Sequence, residues 1–509
     1  AAVGFNSFDV TYWRRYKPIS NNLSCNSGTE TSAFEISAGP FLDALVLRAY
    51  DVSDSTRPFR LDDVAITTGG PGATLRLQDT ASPSLRRQYV IFDFARSPVP
   101  GAMSAVTRHR VFDHTAGDYL LIAPQAYLAA IQPLVTLHQA QGLRVVVAPL
   151  EGVQDEFNGG RKSAHAIKRF IRYAYNNWNA RFVLLVGDGS EDPQKFFSTS
   201  SPDIVPVQKM FGPVPVPVGT TDYLRELIPS DFWYVWCLNC TDPSTSNLLP
   251  DLAIGRLPVS TLNQLNGVVA KIVKYDDLSG DQSWRQKMLL MADDAYSGQS
   301  FFGGPAGTSE YCRRGGELVF SRIGGVVDSL IRKSAGLAQT QVDLFELSYY
   351  LPNRPGEYTT SGGPDTCRNS LPVFVSRARA FATPDLFSRL NAGRMWWSYQ
   401  GHANEYLLAH ENFYLNELGT DDKSRFVNDG KPFFFSAFSC HPNSFGRLRG
   451  GNDPSFGPSV GEDLVNLPNR GAIASWASTG FEQLPGDYTQ HLHVYLAKSM
   501  FVNPPRDEV

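Results

Sequence analysis

Cysteine is scarce, with six among 509 residues, too few for a disulfide-stapled scaffold. No excess of one charge sign exists either. Lys and Arg total 46 against 50 Asp and Glu, a net charge of −4, which argues against a nucleic-acid or anionic-membrane surface. No stretch offers about 18 uninterrupted apolar residues, so no membrane-spanning helix is expected. Repeats, low-complexity runs and a GxGxxG fingerprint are also missing. The Gly187-Asp188-Gly189 turn lacks the helix start and spacing of a phosphate loop.

What is there suits packed interiors. Apolar residues make up 42% and aromatics 12%, which excludes global disorder. A chain this long predicts two or three domains. Its opening Ala-Ala-Val-Gly, without Met or a charged-then-apolar leader, is expected of a processed or excised segment. Cys312 and Cys367 flank a Gly- and Pro-rich stretch and could bridge, while Cys237 and Cys240 sit in a loop. That pattern fits an exported protein with one or two disulfides.

Residues 1–105 read as a small β-sandwich-like domain. Short runs such as "SAFEISA", "ALVLRAYDV", "ATLRLQD" and "QYVIFDF" are separated by Gly, Pro, Ser and Asp clusters. From 106 to 509 the pattern changes to apolar strands alternating with amphipathic helices. "DYLLIAP", "RVVVAPL" and "RFVLLVGD" read as strands and "SAHAIKRFIRYAYNNW" as a helix, in which Ala164, Ile167, Phe170, Ile171 and Ala174 form one apolar face. An irregular stretch of about 70 residues follows, and then the alternation resumes. The expected fold is α/β, a three-layer sandwich around a mainly parallel sheet.

Ligands of open parallel sheets bind beyond the carboxyl ends of the strands. "RMWWSYQGH" ends at His402 and "KPFFFSAFSC" at Cys440. Either residue alone reads as a core side chain. Together, at the ends of separate strands and each entering a Gly/Asn/Ser-rich turn, they point to thiol chemistry. A neighbouring imidazole would lower the thiol pKa and later protonate the leaving amine, with backbone N–H groups after the strands available to an oxyanion.

"YQGHANEYLLAHENF", "FFFSAFSCHPNSFG", "PSVGEDLVN" and "GAIASWAST", with "DYLLIAP", "FVLLVGDGSEDP", "PSDFWYVW" and "PDLAIGRLPVST" upstream, resemble the gingipain-type cysteine peptidases of family C25, in the caspase-like clan. The resemblance spans roughly residues 110–500. The first hundred residues resemble the region preceding the peptidase domain of the type IX secretion sortase. The resemblance implies a caspase-like fold, with Cys440 as nucleophile and His402 as general acid/base. It also implies Asp231 as the acid orienting the imidazole, with Asp188 as runner-up. The backbone N–H groups of Ala403 and Cys440 would form the oxyanion hole. Ala403 stands where the family usually has Gly, which matters only if the position needs positive φ. Trp476, Ser478 and Thr479 are expected to line the substrate pocket, Trp476 having a core reading as well. Asn247 stands where Arg-specific relatives carry a pocket acid, so strict Arg cleavage is not expected.

The chemistry needs no cofactor. "GDGSEDP" places Asp188, Glu191 and Asp192 in one turn, suited to a structural calcium or simply to solvent. "WCLNC" is read as a local disulfide or two free thiols, since no helix follows it. The expected partners are protein or peptide substrates, with secretion-system or cell-surface partners possible and the location exported. Two rivals remain: a sortase-like transpeptidase and a non-catalytic scaffold on the same fold.

Overall fold

The computed structural model describes residues 16–27, 33–42, 46–70, 72–80, 87–96, 110–114, 116–196, 202–218, 222–240, 249–294, 318–334, 341–350, 375–417, 420–447, 458–482 and 491–502. The chain divides into two compact units, residues 1–107 and 108–509.

The first unit contains β1 (Asn22–Asn26), β2 (Ala33–Phe41), β3 (Leu47–Asp51), β4 (Phe59–Leu61), β5 (Ala65–Gly69), β6 (Gly72–Thr80) and β7 (Gln88–Asp93). They form two antiparallel sheets, ordered β1-β7-β3-β4 and β2-β6-β5. Side chains alternate across a strand, so Ala73, Leu75 and Leu77 of β6 meet Leu47, Ala49 and Ile91 of the other sheet in one core. This is the expected small all-β region.

The second unit opens with β8 (Tyr119–Ala123), α1 (Gln132–Ala140), β9 (Val145–Pro149), α2 (Leu150–Asn158), α3 (Ala164–Trp178) and β10 (Phe182–Val186). The predicted apolar face of α3 is buried, and Ser163 caps its start. β11 (Lys209–Val218) and β12 (Asp222–Pro229) form an antiparallel hairpin, followed by α4 (Phe232–Val235) and β13 (Ala253–Leu257). The hairpin lies within the stretch that reads as irregular. Pro213, Pro215 and Pro217 hide it, because proline normally argues against a strand. β13-β10-β8-β9 form a parallel sheet. Leu120 and Ile122 of β8 enter the core on one face, Leu121 and Ala123 that on the other, as two-sided burial requires.

A second parallel sheet follows. After α5 (Leu262–Asp276) come β14 (Lys287–Ala292), α6 (Leu318–Lys333), β15 (Gln341–Glu346), α7 (Thr383–Asn391) and β16 (Trp396–Gln400). Three short strands, β17 (Leu407–Leu408), β18 (Tyr414–Glu417) and β19 (Thr420–Asp421), precede β20 (Phe433–Phe438), α8 (Val460–Asn466), β21 (Ala472–Ala477) and α9 (Leu492–Ala497). The order is β15-β14-β16-β20-β21, all parallel. The alternation thus builds two sheets, not the single sheet that pattern alone suggests. α5 joins them. Leu265, Val268 and Val269 pack in the first sheet's core, while the buried Lys271 amine donates to the carbonyls of Val465 and Leu467 at the end of α8 and of Arg470 in the turn before β21.

Candidate active site

β16 and β20 are direct neighbours in register, from Trp396 opposite Phe434 to Gln400 opposite Phe438. Polar side chains fix that register from beneath. Trp396 Nε1 donates to Ser436 Oγ (2.8 Å), which donates to Ser398 Oγ (3.0 Å), itself 2.8 Å from His493 Nε2. Both strands run the same way. His402 and Cys440 each follow two residues past the last pair, at the carboxyl ends of these adjacent strands, where such sheets bind ligands.

The other neighbour of β16 is β14, and the residue that follows it, Asp293, reaches the same edge. Its Oδ2 accepts the His402 backbone N–H (2.8 Å) and lies 3.2 Å from the Tyr399 oxygen, whose one proton goes to the nearer His402 carbonyl (2.6 Å). Gly401 makes this possible. At φ +155°, a Cβ there would sit 2.3 Å from Asp293 Cβ and 2.5 Å from the Tyr399 oxygen, closer than atoms pack. The His402 ring stacks obliquely on His410 at 4.5 Å and meets Phe320 edge-on at 5.8 Å. Burial and the neighbouring His402 hold the His410 imidazole below its usual range, opposed by Asp293.

Cys440 is partly buried, and the Glu482 N–H points at its sulfur from 3.5 Å. Burial pushes the thiol above its ordinary value. The Glu482 N–H pulls it down, while the carboxylates of Glu482 and Glu226 add to the rise. Burial also pushes the Glu482 carboxyl up to about 7. His441 takes up φ +67°, an unusual conformation for a residue with a side chain. Its Nε2 lies 2.8 Å from Glu226 Oε1, so the β11–β12 hairpin reaches this edge. The N–H groups of Ala403 and Cys440 donate to no acceptor among the described residues. Ala403 is not among the residues with positive φ, so alanine fits where glycine is usual.

Other predicted site residues lie elsewhere. Asp231 does not orient an imidazole. Both its oxygens accept from the buried Arg256 guanidinium (2.7 and 2.8 Å), a bidentate pair that ties α4 to β13. Asp188 accepts the Gly189 N–H and the Ser260 hydroxyl, Asp192 accepts the Phe196 N–H, and Glu191 faces Lys209 at 3.7 Å. These three carboxylates therefore do not converge as a calcium cage. The one set of His, Cys, Asp or Glu ligand atoms that does converge among the described residues is Asp293, Asp294 and Glu411. Trp476 is 46% exposed on β21, edge-on to Phe438, which rules out its core reading. Ser478 bonds Gly480 in the next turn, and Thr479 lies half-buried beside it. Cys237 and Cys240 are disulfide-bonded. Asn247, Cys312 and Cys367 lie outside the described residues.

Asp293 is the residue that sequence reasoning missed. It directly follows β14 within "QKMLLMADD", so the strand-end rule that selects His402 and Cys440 reaches the Asp293-Asp294 pair once β14 is known to adjoin β16.

A thiol and an imidazole at the ends of adjacent strands of a three-layer α/β unit define a caspase-like protein. The chain belongs to peptidase family C25, whose family model matches residues 113–508, a family of cysteine peptidases. No curated protein sequence matches the chain. Among solved structures it is similar to the Arg-specific cysteine proteinase gingipain R (RgpB), at 18% identity and TM-score 0.49 over 79% of this chain and 71% of that one. The complex of Porphyromonas gingivalis RgpB pro- and mature domains matches at 17% identity and TM-score 0.46, over 75% and 69%. A structure described only as a protease matches at 17% and TM-score 0.44, over 73% of this chain and 61% of its own length. No helix among the described residues is long and apolar enough to cross a membrane.

Proposed function

We propose that the protein is a cysteine endopeptidase with Cys440 as nucleophile and His402 as general acid/base. The observation that carries this reading is the register of β16 and β20, which makes the strands leading to the two residues in-register neighbours of one parallel sheet. Since burial and two carboxylates hold the Cys440 thiol high, the thiolate forms when His402 takes the proton as substrate binds. Sulfur attacks the acyl carbon, and the N–H groups of Ala403 and Cys440 hold the oxyanion. Collapse breaks the C–N bond as His402 protonates the departing amine. Water then cleaves the thioester and restores the thiol. Asp293 is a positioning residue that fixes the His402 backbone. Trp476, Ser478 and Thr479 line the pocket, and the substrates are proteins or peptides met outside the cell or at its surface.

The test is labelling with an acyloxymethyl-ketone peptide library, mapped by mass spectrometry, with His402→Ala as control. Labelling confined to Cys440 and lost in the variant is the expected result. Equal labelling of all cysteines, or none, removes the reading. Ligated product on addition of amines would assign the second step to transpeptidation.

A further inference from the structure

We propose that Glu226 is a positioning residue for Cys440, acting from the β11–β12 hairpin through His441 and Phe481. The inference rests on Cys440 being the nucleophile. Glu226 Oε1 lies 2.8 Å from His441 Nε2, and Oε2 accepts the Phe481 N–H at 3.2 Å. A carboxylate only accepts, so the ring nitrogen carries the proton and donates. One side chain thus holds the residue after Cys440 and the residue before Glu482, whose N–H points at the sulfur. The loops that follow β20 and β21 are thereby pinned to each other by a carboxylate from outside their sheet.

The backbone is shaped around this contact. The His441 N–H donates to the Gly480 carbonyl at 3.1 Å. A Cβ on Gly480 would come within 2.8 Å of Ile228 Cγ2 and 2.9 Å of Glu226 Oε2, closer than a side-chain carbon packs. His441 sits at φ +67°, a left-handed conformation that a residue with a side chain keeps only where its surroundings impose it. Glu226 and the edge-on Phe481 ring, 4.6 Å away, impose it here. The Cys440 N–H assigned to the oxyanion lies one residue before this fixed point, so holding His441 holds the donor and the sulfur.

Charge and position pull in opposite directions, which separates the two roles. Burial foremost, and the Glu482 and Glu226 carboxylates after it, hold the Cys440 thiol high. As a charge alone, Glu226 slows thiolate chemistry, and its removal should speed any reagent that needs only a thiolate. As a clamp, it helps only a reaction that needs a peptide carbonyl set against both the sulfur and the oxyanion donors.

The test compares two reagents on the full chain, with Cys440 labelling followed by mass spectrometry. Iodoacetamide asks only for thiolate, while a peptide acyloxymethyl ketone asks for a placed carbonyl. Glu226→Ala should react faster than wild type with iodoacetamide but about tenfold or more slowly with the ketone. Glu226→Gln can accept from Phe481 and donate to the other tautomer of His441, so it should recover most of the ketone rate. His441→Gly adopts the left-handed conformation freely yet loses the link. Its ketone rate should fall as in Glu226→Ala, and the double variant should fall no further. A Glu226→Ala protein that speeds up with both reagents overturns the role and leaves a bystander charge. An unimpaired His441→Gly overturns it too, and decides alone should Glu226→Ala fail to fold. A wild type that the ketone never labels removes the reading of Cys440 itself, and this role with it.

Discussion

Acidification should unfold this protein through a histidine that lies beneath the candidate active site. His493 is fully buried. Phe438 stacks on it at 4.6 Å, Trp396 meets it edge-on at 5.4 Å, and Ser398 Oγ lies 2.8 Å from Nε2. Ser436 donates to Ser398, so Ser398 donates to Nε2 and the ring proton sits on Nδ1, which has no partner. Protonation would put two donors where the site offers one acceptor-poor wall. Burial, with His491 adding to it, accordingly drops the imidazole to about 3.

The sign follows directly. The unfolded imidazole takes its proton near pH ~6.5, whereas the folded one refuses it until about 3. The stabilisation is complete above pH ~6.5 and is lost as pH falls toward 3, at about 1.4 kcal/mol per pH unit. Between pH 7 and 5 the loss is about 2 kcal/mol. His491, also held low by burial, acts in the same direction, and Glu482, held high, acts against it, so only a difference isolates His493. His493→Gln keeps a partner for Ser398 and removes the titration. Urea unfolding of both proteins at pH 7, 6 and 5, followed by Trp396 fluorescence, should show the wild type losing about 2 kcal/mol more than the variant. Parallel losses would refute the reasoning.

Other substitutions test neighbouring claims. Lys271→Met strips one buried and two part-buried carbonyls of their donor and should cost about 3 kcal/mol in urea unfolding; a loss under ~1 kcal/mol would mean water replaces the amine. Gly401→Ala drives a methyl against Asp293 and Tyr399, so Cys440 labelling and thermal stability should fall together. Asp231→Asn breaks a buried ion pair and should cost about 3 kcal/mol yet leave the folded fraction able to label Cys440; selective loss of labelling would restore Asp231 to the catalytic machinery. Glu482→Gln removes a carboxylate that raises the thiol while keeping the N–H. Iodoacetamide should therefore alkylate Cys440 faster in the variant at pH 8, and an unchanged rate would refute that electrostatic role.

Fold class was legible because burial on two faces writes itself into composition. "YLLIA" and "FVLLV" can only be central strands of a covered sheet, and the period of α3 exposes its buried face. Where one sheet stops and the next begins is not written this way. β13 and β14 flank one helix, and no residue in either states whether they pair. The answer lies in α5, whose Lys271 is spent on carbonyls from the end of α8 to the turn before β21, a long-range bond with no local pattern. The β11–β12 hairpin was hidden for the opposite reason, since its prolines contradict local propensity and only pairing overrides them.

The site shows the same division between what a residue says alone and what its neighbour says of it. His402 and Cys440 are readable because each ends a strand in a residue of distinctive chemistry. Asp231 was a plausible orienter until Arg256 engaged both of its oxygens, and among the described residues no imidazole bonds to it. Asp293 carries no signature in the chain beyond its place after "MLLMA". Its meaning comes from β14 lying against β16, and from Gly401, whose missing side chain is the space that the Asp293 carboxylate occupies. Three strands in the order β14-β16-β20 thus deliver an acid, an imidazole and a thiol to one edge. The glycine that precedes His402 is there because the first two must approach more closely than any side chain would allow.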